Sequence, residues 1–207
     1  MALVKPKTFR PVESLAAEEE RDCNELFVSL EDVDAVVRRR AARDAVSHPD
    51  SATALVSRLG REQDAAVREV ILGTLVRLKS PSAIGGLVDC LRGEDVALRN
   101  EAIEAFRQMG SEIDPVLKSL LADPDPDVRI FVVNILDSQR HPDVESWLNK
   151  VIEQDSHVNV CATAVDILCE VATEAAVEPL LLLKARFGGE PYIQFAADLA
   201  LKRIRGV

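Results

Sequence analysis

The 207-residue sequence is poor in aromatic side chains, with one Trp, one Tyr and six Phe, or 4% of the chain. Strands of sandwiches and barrels favour aromatic and β-branched residues, so this shortage counts against an all-β fold. A core built instead from Ala, Val, Leu and Ile suits closely packed helices. Histidine is scarce too, at three residues. His48 and His141 each precede a proline in equivalent turns, where turn chemistry accounts for them. His157 and Cys161 stand four apart and could share a helix face, but two ligands fall short of a closed zinc site. The four cysteines, Cys23, Cys90, Cys161 and Cys169, show no CxxC spacing and read as small buried hydrophobes rather than disulfide or metal partners. Gly85-Gly86 and Gly188-Gly189 have neither Walker nor dinucleotide spacing. No Ser/His/Asp or Cys/His arrangement can be assembled. The sequence therefore assigns no catalytic residue, no cofactor and no metal site, and it leans away from an enzyme.

Positive charge is also in deficit: 25 Lys plus Arg stand against 35 Asp plus Glu, a net charge of −10. A chain that neutralises phosphates carries a basic footprint, so a nucleic-acid partner is disfavoured. The densest apolar stretch, Leu180 to Leu183, is far too short to span a bilayer, and the first ten residues lack the apolar stretch of a signal peptide. The expectation is a cytoplasmic, acidic protein with no membrane role. With 47% apolar residues and this length, one sizeable core is the default.

What the sequence has in plenty is repetition. Segments opening at Asp34, Asp64, Asp95 and Asp125 each run acid, apolar residue, Arg, and their anchors Val37, Val67, Leu98 and Val128 lie 30, 31 and 30 residues apart. A period of that size means stacked supersecondary units. Each unit reads as two helices. In the second, Val67, Val70, Ile71, Leu75 and Leu78 form one stripe, Ser80-Pro81-Ser82 a turn, and Ile84, Leu87, Val88 and Leu91 the next stripe. Gly86 and its neighbour Gly85 fall inside that second helix, either for close helix approach or as a thinned wall where a partner docks. The fifth unit is less regular. Its anchor is Val160 if apolar positions are matched, or Val158 if the acid Asp155 is matched, and packing favours Val160. Residues 1–13 read as an extended N-terminal segment and 14–207 as the repeat domain. Within that domain 14–30, with Ser14 as N-cap, form a leading capping helix, and 190–205 a closing one.

With its acid, Val-Arg, Ala-rich helix, Pro-containing turn and Leu-rich helix, the chain resembles the short HEAT-like repeats of the phycobilisome-lyase type over about residues 31 to 205. The resemblance implies an all-α fold, a right-handed α-solenoid of about five to six HEAT-like helical hairpins. Cys161 and Gln194 stand where the pattern has Arg. Some HEAT-repeat enzymes hold di-iron through paired His-Glu motifs, and this chain has no His-Glu dipeptide.

The recurring columns Asp34, Asp64, Asp95, Asp125 and Arg38, Arg68, Arg99, Arg129 are expected to form a structural ladder, the acids capping helices and the arginines pairing with acids of their own or the adjacent unit. Trp147 aligns with Leu55, Leu87, Val116 and Leu180 and reads as core before interface hot spot. On the second helices, Arg58, Asp89, Arg92, Lys118, Glu145, Lys150 and Lys184 point away from the stripes and are candidate partner-binding residues. The run Arg38, Arg39, Arg40 with Arg43 is either a solvated helix face or a docking patch for an acidic partner. The expected function is a scaffold or adaptor that binds a partner protein or peptide on the solenoid surface. The alternative, implied by the resemblance, is a bilin lyase or lyase-like subunit. Homo-oligomerisation is left open, and residues 1–13 are a candidate arm lying in the same groove.

Overall fold

Helix starts are written into the chain by aspartate. In the computed structural model, which describes residues 23–138 and 143–206, the Asp34 carboxylate accepts the Val36 N–H at 2.8 Å and opens α2, Ala35–Asp44. Asp64 accepts from Ala66 and Val67 and opens α4, Ala65–Leu78. Asp95 accepts from Leu98 and opens α6, Val96–Met109, and Asp125 accepts from Asp127 at the head of α8, Pro126–Ser138. Each such cap satisfies a backbone donor that the helix cannot, and is worth roughly 1 kcal/mol. Residues 23–30 form α1; the expected Ser14 cap and the segment 1–13 lie outside the described residues.

Every first helix is answered by a second: α3, Ala52–Leu59; α5, Pro81–Arg92; α7, Asp114–Leu120; α9, Val144–Gln154; and α11, Val177–Arg186. The fifth first helix is α10, Val158–Val171, and α12, Pro191–Arg205, follows α11. Val160 is fully buried in α10 whereas Val158 is half-buried, so the unit is anchored on Val160. No strand occurs among the described residues.

The chain divides into two compact units, Met1–Gly86 and Leu87–Val207. In the first, α4 packs on α2 and α3, closing a core of Leu30, Ala42, Leu55, Leu59, Ile71 and Leu75. Gly86 is required there: a Cβ at this position would lie 2.3 Å from Val56 Cγ2, so the glycine lets α5 approach α3 closely. Gly85 has open space instead. In the second unit α6, α8, α10 and α12 pack in succession, and α9 packs on α10 and α11. Phe106, Leu117, Val132, Leu136, Leu148, Leu168 and Leu180 are fully buried among them. Each contributes about 1.5–3 kcal/mol of apolar burial, which is how a chain with so few aromatics holds together.

Candidate functional site

The arginine column points inward. Arg38 is buried, and its Nε and one terminal nitrogen each donate to the Glu62 carboxylate at 2.8 Å while the other donates to the carbonyls of Asp32 and Val33. Arg129 repeats the arrangement with Asp155, at 2.6 and 3.0 Å, and with the carbonyls of Asp123 and Pro124. Arg99 donates to the Gly93 carbonyl at 2.7 Å and lies 5.1 Å from the Phe131 ring centre. The common element is a donor aimed at the carbonyl six residues back, which caps the preceding helix. Cys161 keeps to the rule, its thiol reaching the Asp155 carbonyl at 3.3 Å. A thiol cannot fill the guanidinium's volume, and Arg186 of α11 supplies the missing group by donating to the carbonyls of Ile152, Glu153 and Asp155. Gln194 donates from its amide to the carbonyls of Lys184 and Phe187.

The carboxylates of Glu62 and Asp155, which receive Arg38 and Arg129, belong to a second acidic column that sequence reading missed. Asp32, Glu62, Asp123 and Asp155 each stand two residues before a cap position and accept its backbone N–H. The spacing acid-x-Asp was available in the sequence for Asp32, Glu62 and Asp123; in the fifth unit it reads Asp155-x-His157, and in the third Gly93 occupies that place. The bidentate hydrogen bonds from Arg38 hold Glu62 down at about 2, against burial and with help from the Asp64 N–H and Arg58. Burial pushes Asp155 and Asp123 upward, but their arginine and backbone donors win and both lie below the ordinary range. Burial raises the Cys161 thiol, which makes it a poor nucleophile.

This geometry thins the list of surface candidates. Arg38 parts from the basic run because its guanidinium is consumed by Glu62, leaving Arg39, Arg40 and Arg43 exposed on α2. Arg58 is likewise engaged by Glu62 and Glu31. Arg92 pairs with Asp123 at 2.6 Å, Glu145 accepts from the Thr173 N–H and hydroxyl, and Lys184 pairs with Asp198. Asp89 is exposed beside Arg92, 3.8 Å away. Two candidates, Lys118 on α7 and Lys150 on α9, come together at a groove.

That groove has a volume of about 320 Å³ and is lined by Lys118, Leu121, Trp147, Lys150, Val151 and Asp155 among others, the Asp155 carboxylate being neutralised by Arg129. Trp147 has a relative exposure of 6%, so it is a core residue that also lines the groove. Lys118 Nζ stands 4.3 Å from the Trp147 ring centre, a cation–π distance. The site thus offers an apolar floor between two ammonium groups on an otherwise acidic molecule. No group of three or more His, Cys, Asp or Glu residues placed to hold a metal ion occurs among the described residues. Nor is any described helix long and apolar enough to cross a membrane.

A family model described as HEAT repeats matches residues 24–109 and 113–204. None of the curated proteins matches this sequence. Among solved structures, the chain is similar to an archaeal HEAT-like repeats protein from Thermococcus onnurineus NA1, at 19% identity and a TM-score of 0.45, covering 92% of this chain and 91% of that one. It is similar to an engineered protein at 20% identity and a TM-score of 0.41, covering 89% and 97%. It is also similar to the complex of CpcE and CpcF of phycocyanin lyase from Nostoc sp. PCC7120, at 14% identity and a TM-score of 0.35, covering 99% and 98%.

Proposed function

The chain belongs to the HEAT-repeat family, and from that premise we propose that it is a protein-interaction module that takes an acidic, partly apolar segment of a partner protein at the Trp147 groove. The observation that carries this reading is that Lys118, seated on the Trp147 ring, and Lys150 line one groove with Trp147. Arg58, Arg92, Glu145 and Lys184 on the second helices pair with residues of the chain, whereas Lys118 and Lys150 line the cavity. An apolar side chain of the partner fits the floor, and neighbouring carboxylates meet the lysines. Attraction to an acidic segment runs against the net charge of −10, so it is local and short-ranged. No residue at the groove favours the lyase alternative.

Trp147 is the sole tryptophan and therefore its own reporter. A peptide library with Leu or Phe flanked by Asp and Glu, titrated against the intact chain, should yield binders that shift Trp147 emission and weaken as salt is raised. The double variant Lys118→Glu/Lys150→Glu should bind those peptides at least about tenfold less tightly, the loss of about 1.4 kcal/mol that two rim charges readily supply. Binders that leave the emission unchanged and tolerate the double variant would place the interaction elsewhere and overturn the assignment.

A further inference from the structure

The outward face of α12 breaks the pattern set by every earlier first helix. Two and six residues after the anchor, the preceding units carry Arg39 and Arg43, Glu69 and Gly73, Asn100 and Glu104, Ile130 and Asn134, and Ala162 and Asp166. In α12 these places hold Phe195 and Leu199, with relative exposures of 67% and 50%, and Tyr192 joins them one turn earlier at 54%. Spaced i, i+3, i+7, the three form one stripe on one face. The Tyr192 hydroxyl is held by Asp166 at 2.6 Å, which fixes its ring at the edge of the stripe. The slot after the core position on the second helices tells the same story. Leu148 of α9, which packs against α11, is fully buried, whereas Leu181 at the equivalent place in α11 is 48% exposed. No earlier first helix carries large apolar residues at both places, and such residues gathered and exposed together mark a surface meant to be covered.

We infer that a second copy of this chain covers it, α12 packing antiparallel on α12 of the partner about a two-fold axis near Phe195, which sets Glu190 of each copy opposite Lys202 of the other. The charges on the helix argue for that occupant and orientation. Glu190 stands at its N-terminal end, and Lys202, Arg203 and Arg205 are exposed at its C-terminal end. Antiparallel pairing sets the acidic end of each copy against the basic end of the other, and a two-fold interface needs such self-complementarity. Parallel pairing would set like charges together. Three side chains make a small patch beside a standard stable interface, so the association is of the weak class. This face is separate from the Trp147 groove, and the inference does not depend on what binds there.

Sedimentation of the full chain between roughly 1 and 300 µM tests it, a range chosen to bracket a weak interface. The average mass should climb from 22.7 kDa towards twice that value as concentration rises. Phe195→Glu/Leu199→Glu should stay monomeric throughout, and because both side chains are exposed its helical circular dichroism and melting should match the parent. The milder Leu199→Lys serves if that double variant fails to fold. Glu190→Lys should weaken the dimer at least tenfold, and adding Lys202→Glu should restore it, since the swap rebuilds the antiparallel pair. A parent that stays at 22.7 kDa at every concentration, or a dimer indifferent to these substitutions, would overturn the inference.

Discussion

Glu62 shows how much one side chain can be asked to do. It receives Arg38 through two hydrogen bonds, Arg58 through a third, and the backbone N–H groups of Gln63 and Asp64. A carboxylate with those donors and almost no water has its charge fully compensated, which is why it is not a catalytic acid despite its displaced pKa. Removing the charge strands two arginines, one of them buried. Glu62→Gln is therefore expected to destabilise the chain by about 3–5 kcal/mol, the usual cost of breaking a buried pair from one side. Chemical denaturation at pH 7 measures it, and hydrogen exchange should show α2, α3 and α4 losing protection first. Exposed Arg40, which stands 3.8 Å from Asp44, is the control, and Arg40→Ala should shift stability by less than about 0.5 kcal/mol.

At the scale of elements, the fold was legible and its fastenings only half so. The 30-residue anchors, the Asp caps and the Pro turns suffice to place every hairpin, because each obeys local rules that repeat. Val160 as the fifth anchor could be chosen over Val158 for the same reason, since packing depends on the apolar face. Arg186 could not be foreseen: it lies in α11, 25 residues after Cys161, and only the three-dimensional stack carries its guanidinium to the end of α9. The Trp147 groove was legible in part. Lys118 and Lys150 stood among the surface candidates, but nothing in the sequence separated them from Arg92, whose partner Asp123 comes from a distant part of the chain, or from Arg58, which adds distant Glu31 to nearby Glu62. The substitution of one ladder device for another is testable. Arg186→Ala should orphan carbonyls at the end of α9, at a cost of about 1–3 kcal/mol. For a chain of this size that is a fall in Tm of roughly 2–10 °C. Adding Cys161→Arg should recover part of it, because a guanidinium at 161 stands six residues after the Asp155 carbonyl, as Arg129 does after that of Asp123, while the Ile152 and Glu153 carbonyls stay without the Arg186 donor. A double variant no more stable than Arg186→Ala alone would mean that Arg186 acts through something other than the ladder.

For the whole molecule, the ladder and the net charge pull the pH dependence in opposite directions. At pH 7 the charge of −10 repels itself, and lowering the pH towards the sequence pI of about 4.9 relieves that strain. Stability should hold or rise slightly over this range. Below it the paired carboxylates take over. Their pKa values are depressed on folding, so the stability they provide is complete above their unfolded values and disappears as pH falls through the folded ones. Glu62 descends from its ordinary 4.5 to about 2, which corresponds to on the order of 3 kcal/mol lost between those two values. Asp155 and Asp123 add losses of the same sign in the second compact unit. In a repeat protein such pairs matter beyond their number, because Arg38 with Glu62 and Arg129 with Asp155 each tie one repeat to the next, and nearest-neighbour coupling carries the stability of the array. Denaturation midpoints measured from pH 7 to pH 2.5 should thus trace a plateau to about pH 5 and a steep fall beneath about 4.5. In Glu62→Gln the plateau should sit lower and the acid fall should be shallower, since the variant has already lost what protonation removes. Parallel curves for the two proteins would show that acid unfolds the chain through groups other than the ladder.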